Sequence, residues 1–82
     1  MSRHTQKQSN IEIAYGYDDI PMGGYFFQVF DSNAISEENE EGIVVNEGFA
    51  FGIGKSKMIE LMTKYEVKNE EHLKLVAMDL PI

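Results

Sequence analysis

Between Ile11 and Tyr17 the chain alternates, with Ile11, Ile13, Tyr15 and Tyr17 on one side and Glu12, Ala14 and Gly16 on the other. A period of two with one bulky apolar side is the pattern of a half-buried strand, and it predicts a strand over residues 11–17. Residues 18–24 (DDIPMGG) collect turn formers, including a proline and a glycine pair. Residues 25–30 (YFFQVF) are apolar on both sides, which suits a central strand or one at a protein interface, here predicted over residues 24–31. These two strands are expected to form an antiparallel hairpin.

The pattern then turns polar. Residues 32–42 (SNAISEENEEG) place four glutamates within five positions, and their mutual repulsion predicts a mobile acidic loop. Ile43, Val44 and Val45 are β-branched and predict a short strand over residues 42–46. Asn46, Glu47 and Gly48 fit a hairpin turn with glycine in the left-handed region. Phe49, Phe51 and Ile53 alternate with Ala50, Gly52 and Gly54, which suggests a fourth strand over residues 49–53 with one nearly bare side open to close backbone approach.

From Ser56 the period becomes helical. Met58, Leu61, Met62 and Tyr65 share a stripe opposite Lys57, Glu60 and Lys64, predicting a helix over residues 56–65 with Ser56 as its cap. Asn69 can cap a second helix over residues 69–79, with Glu70 and Glu71 in its first turn and Leu73, Val76, Ala77 and Leu80 as its buried stripe. Strands followed by helices define an α+β fold, a small antiparallel sheet of three to four strands with two helices on one face. Residues 1–10 read as a flexible polar tail, and residues 11–82 as a single α+β domain.

Charge changes the picture more than composition does. The net charge is −7, and it is segregated. No Lys or Arg falls between Gln8 and Gly54, while Glu12, Asp18, Asp19, Asp31, Glu37, Glu38, Glu40, Glu41 and Glu47 do. Such a one-sign field attracts cationic partners and repels polyanions, so direct nucleic-acid binding is not expected. There is no cysteine, which removes disulfides and thiolate metal sites. Residues 1–10 lack an apolar signal-type core, and no apolar run approaches membrane-span length; the expectation is a cytoplasmic protein with no membrane contact.

Candidate chemistry is sparse. Gly52, Gly54, Lys55 and Ser56 end like a phosphate-binding loop, but the position five residues before the Gly-Lys pair is Phe49. An anion or nucleotide site at this helix start is a minor reading beside a plain helix beginning. Asp31 and Asn33 open like a calcium loop, but Ile35, Ser36 and Gly42 break the pattern, so no metal site is expected. Asp18 and Asp19 are adjacent acids in a turn, more often solvated than catalytic. His4 lies in the polar tail and His72 on the charged side of the last helix, neither with a second ligand at metal spacing. No nucleophile context surrounds any serine. No catalytic residue and no cofactor are expected.

The reading that follows is a non-enzymatic protein-interaction module for a basic surface. Asp18, Asp19, Glu37, Glu38, Glu40 and Glu41 would supply charge, with Tyr15 and Tyr17 as aromatic anchors. The alternatives are a homo-oligomeric accessory protein whose strands pair across a two-fold axis, and a small-anion binder at the helix start.

Overall fold

The structure, a computed structural model, describes residues 2–18, 23–48 and 52–82. Four strands form one antiparallel sheet in sequence order: β1 (His4–Gln8), β2 (Ile11–Asp18), β3 (Gly24–Asp31) and β4 (Ile43–Glu47). A short 3-10 turn, Ser32–Ala34, follows β3, and two helices, α1 (Lys55–Lys64) and α2 (Glu70–Ala77), complete the chain. The α+β expectation holds, with strands first and helices after.

The strand over residues 11–17 and its hairpin with residues 24–31 form as expected, with Ile13 opposite Val29 and Tyr15 opposite Phe27. The first ten residues differ from the sequence reading. His4–Gln8 is not a tail but the edge strand β1, paired so that His4 faces Tyr15 and Gln8 faces Ile11. Ser9 and Asn10 make the connection, with Ser9 at φ 56°. A polar strand with no apolar stripe becomes stable here because β2 supplies the ladder and the connector between the helices supplies further partners. Gln6 Nε2 donates to the Glu66 carbonyl at 3.0 Å, Gln8 Nε2 to the Tyr65 carbonyl at 3.1 Å, and the Lys68 N–H to Gln6 Oε1 at 2.8 Å.

β4 begins one residue later than expected and enters the sheet through a bulge between Val29 and Phe30. Asn46 and Glu47, expected in a turn, instead extend β4 opposite Gln28 and Phe27, and of the expected turn residues only Gly48, at φ 91°, leaves the strand. Of the strand expected over residues 49–53, Phe49, Ala50 and Phe51 lie outside the described residues; Ile53 pairs with Tyr25 through a single bridge. The bare side anticipated for this segment is used at Gly24 and Gly52. A Cβ on Gly24 would sit 2.5 Å from the Gly52 Cα, so the two backbones meet where no side chain fits.

The core lies between one side of the sheet and the helices. Ile13, Tyr15, Tyr25, Phe27 and Val29 project toward Met58, Leu61, Met62, Val67 and Val76. This is the alternation of β2 and β3 meeting the helical stripe of α1. α1 is capped by Gly54, not Ser56, and no side chain bonds its first turn. Glu66 at φ 55° ends it and turns Val67 back into the core. α2 is capped by Asn69 as expected, its Oδ1 accepting from the His72 N–H at 3.0 Å. It stops at Ala77, because Asp79 at φ 59° leaves the helical region. Ala77 and Leu80 are therefore exposed, not part of the buried stripe; Val76 is buried and Leu73 packs on the core.

Candidate functional site

The fold separates the candidate residues into two groups. Asp18 and Tyr17 sit at one end of β2, while the acidic loop meets the other end, where Ile11 pairs with Asp31. At about 3.4 Å per residue the two ends of this strand are roughly 24 Å apart. Asp19 lies outside the described residues. Tyr15 is 2% exposed and belongs to the core, so it is not available as a surface anchor. Tyr17 is half-buried, its ring edge-on to Tyr25 at a 5.3 Å centroid distance. The two tyrosines expected to face a partner thus lie on the helix side of the sheet, because they continue the stripe of Ile11 and Ile13.

The acidic loop gains different neighbours. Glu37, Glu38, Glu40 and Glu41 are exposed. Asn39 between them organises the turn. Its N–H donates to Ser36 Oγ at 3.1 Å, and its carbonyl accepts from the Ser36 and Gly42 N–H groups at 3.0 and 3.2 Å. Its side chain also pairs with the backbone of Ile43: Nδ2 donates to the Ile43 carbonyl at 2.9 Å, and Oδ1 accepts from the Ile43 N–H at 3.1 Å. A side-chain amide therefore occupies the place a further strand would take at the start of β4.

The loop borders a groove of about 290 Å³ at the end of the sheet, on the side away from the helices. Phe30 and Ile35 give it apolar surface, and Glu12, Glu41 and Lys7 carry charge along its walls. Ile35 is 56% exposed. Val44, the unpaired residue of the β4 bulge beside Phe30, is also exposed. Asp31, read earlier as a possible calcium-loop start, is used internally: its Oδ1 accepts from Asn10 Nδ2 at 2.7 Å and from the Asn33 N–H at 2.9 Å, capping the 3-10 turn. Among the described residues, no group of three or more His, Cys, Asp or Glu converges to hold a metal ion.

The helix start at Gly52 and Gly54 opens on a cavity of about 330 Å³ that also includes Tyr17, Tyr25 and Asp79. Lys55 and Ser56 are exposed and do not line it. Burial raises the Tyr25 hydroxyl above its usual range, and the Asp79 carboxylate and Tyr17 add to that shift. A carboxylate at this mouth opposes an anion, and the glycines already have a structural reason in the Gly24–Gly52 contact.

One cluster was missed in the sequence. His4 from β1, Tyr15 from β2 and His72 from α2 come together. Tyr15 Oη and His72 Nδ1 are 2.6 Å apart, and the two imidazole rings lie 4.1 Å centre to centre. His72 is half-buried, not a solvated helix residue. The missing signal was β1 itself: once residues 4–8 pair with β2, His4 stands opposite Tyr15.

No protein-family model matches the chain, and no curated protein or solved structure matches it. No described helix is long and apolar enough to cross a membrane.

Proposed function

We propose that the protein is a non-catalytic interaction module, and that its acidic loop and the adjoining groove receive a basic, partly apolar segment of a protein partner. The observation that carries this reading is the placement of exposed Ile35 and half-buried Phe30 between Glu12 and Glu41, with exposed Glu37, Glu38 and Glu40 in the same loop. Exposed apolar surface flanked by Glu12 and Glu41, with Lys7 as the one basic group among its described lining residues, matches a partner that alternates lysine or arginine with aliphatic side chains. The charge of −7, concentrated in this half of the chain, would steer such a partner toward the groove.

Two features weigh against self-pairing through β4. A second copy would bring its own glutamates against these. The β4 edge is also bulged, and its Ile43 backbone is engaged by Asn39, both of which blunt strand addition.

The test is capture of partners from native lysate at low and high salt. The intact chain is compared with a variant carrying Glu37→Gln, Glu38→Gln, Glu40→Gln and Glu41→Gln. The expected result is a basic protein retained at low salt and lost both at high salt and by the variant. A partner held equally under all of these conditions would remove the electrostatic reading. An empty capture with a defined oligomer in light scattering would favour the accessory homo-oligomer.

A further inference from the structure

The histidine–tyrosine cluster joins the first strand of the chain to its last helix, and nothing in the interaction reading uses it. His4 lies 5.6 Å from the Tyr15 ring and 4.1 Å from the His72 ring, measured between centroids. Its Nε2 is buried and has no hydrogen-bond partner among the described residues. The Tyr15 hydroxyl bonds His72 Nδ1 at 2.6 Å. We propose that these three side chains form an acid-sensitive latch: with both imidazoles neutral they hold the N-terminal strand against α2, and protonation opens that contact.

With His72 neutral and its proton on Nε2, the Tyr15 hydroxyl donates to Nδ1. Proton uptake turns Nδ1 into a donor and places a positive charge beside His4. That charge sits 4.1 Å, ring centre to ring centre, from His4, whose buried Nε2 has no hydrogen-bond partner among the described residues to offset it. The groups that bear on His72 are His4 from β1, Tyr15 from β2 and Glu71 beside it on α2. Burial lowers the His72 imidazole below its ordinary 6.5, His4 pushes it the same way, and Glu71 opposes them. The folded state therefore favours the neutral ring. The contact is complete above that value and weakens as pH falls below it.

The opening is local. Gln6 and Gln8 remain bonded to the connector between the helices, and Ser2 remains bonded to Tyr17; none of these groups titrates in this range. What loosens is the His4 end of β1 and the first turn of α2.

Amide hydrogen exchange on the full chain tests this at about pH 7.5 and about pH 5.5, after correction for intrinsic rates. The His72 and Leu73 amides, both bonded to Asn69, and the amides near His4 that bond β2 should lose about tenfold in protection or more at the lower pH, while Phe27 and Val29 keep theirs. In a chain carrying His4→Gln and His72→Gln the acid loss should vanish. Equal protection at both pH values in the native chain would overturn the latch, as would an unchanged acid loss in the double variant. If that variant does not fold, imidazole proton resonances of the native chain decide. A His72 midpoint below 6.5 that moves the His4 and Tyr15 signals with it supports the latch. A His72 that titrates without moving them overturns it.

Discussion

The two sides of one sheet are built for different purposes. Toward the helices, β2 and β3 present Ile13, Tyr15, Tyr25, Phe27 and Val29, all buried and all in contact with apolar residues of the core. Away from the helices, the same strands present Glu12, Gln28 and Phe30 together with buried Ala14 and Phe26, and a polar row crosses the sheet. There Arg3 Nη1 donates to Gln28 Oε1, and Gln28 Nε2 donates to Asn46 Oδ1, each at 3.3 Å. Toward the acidic loop this row gives way to Phe30, Ile35 and Val44. The helix side holds the main core, while Phe26 and Ala14 are buried on the other side. The apolar residues at the loop end of the other side are more than the core uses, and they stand where the charge is strongest.

The contrast breaks most sharply by truncation. Phe27→Ala should cost about 3–5 kcal/mol, enough to threaten a domain of this size, because Phe27 is fully buried. Ile35→Ser on the other side should change stability by no more than about 0.5 kcal/mol while weakening partner capture. Denaturant titration of both variants measures the difference. Comparable losses would mean that the loop end of the other side carries folding energy as well.

A smaller effect is expected at the glycine contact. Gly24 has φ 149°, and a Cβ there would meet the Gly52 backbone. Gly24→Ala should therefore cost about 1–3 kcal/mol, read as a lower thermal midpoint. A variant as stable as the native chain would show that the Tyr25–Ile53 bridge is dispensable.

The smallest and broadest effect is on pH. His72 is depressed from 6.5 and Tyr15 is raised from 10.0, in both cases chiefly by burial. The depressed imidazole contributes stability that is complete above about 6.5 and lost as pH falls. The raised phenol contributes stability that is complete below about 10 and lost as pH rises through its folded value. Chemical denaturation across pH should show a plateau between these limits. A maximum at acidic pH would contradict the burial of both groups.

How legible each part was in the sequence follows from where its signal lies. β2, β3 and α1 were readable because an apolar period of two or 3.6 faces one shared core. β1 was not: HTQKQ has no apolar residue in its period, and its order comes from pairing with Ile11 to Tyr15 and from glutamine bonds more than fifty positions away. The His4–His72 contact was hidden for the same reason. The acidic loop was evident from its glutamates. Its neighbours Glu12 and Phe30 were not, because they arrive only through the register that sets Ile11 against Asp31 and Glu12 against Phe30. Tyr15 and Tyr17 look like surplus surface aromatics in the sequence because the period of two does not show that the helices cover their side.

The most direct test of the interaction surface is a backbone amide NMR titration with a short peptide of alternating lysine and leucine, run at about 0.02 M and about 0.5 M salt. The account predicts shifts at Glu12, Phe30, Ile35, Glu41 and Val44 that fade at the higher salt. Shifts confined to α1 and α2, or shifts indifferent to salt, would contradict it.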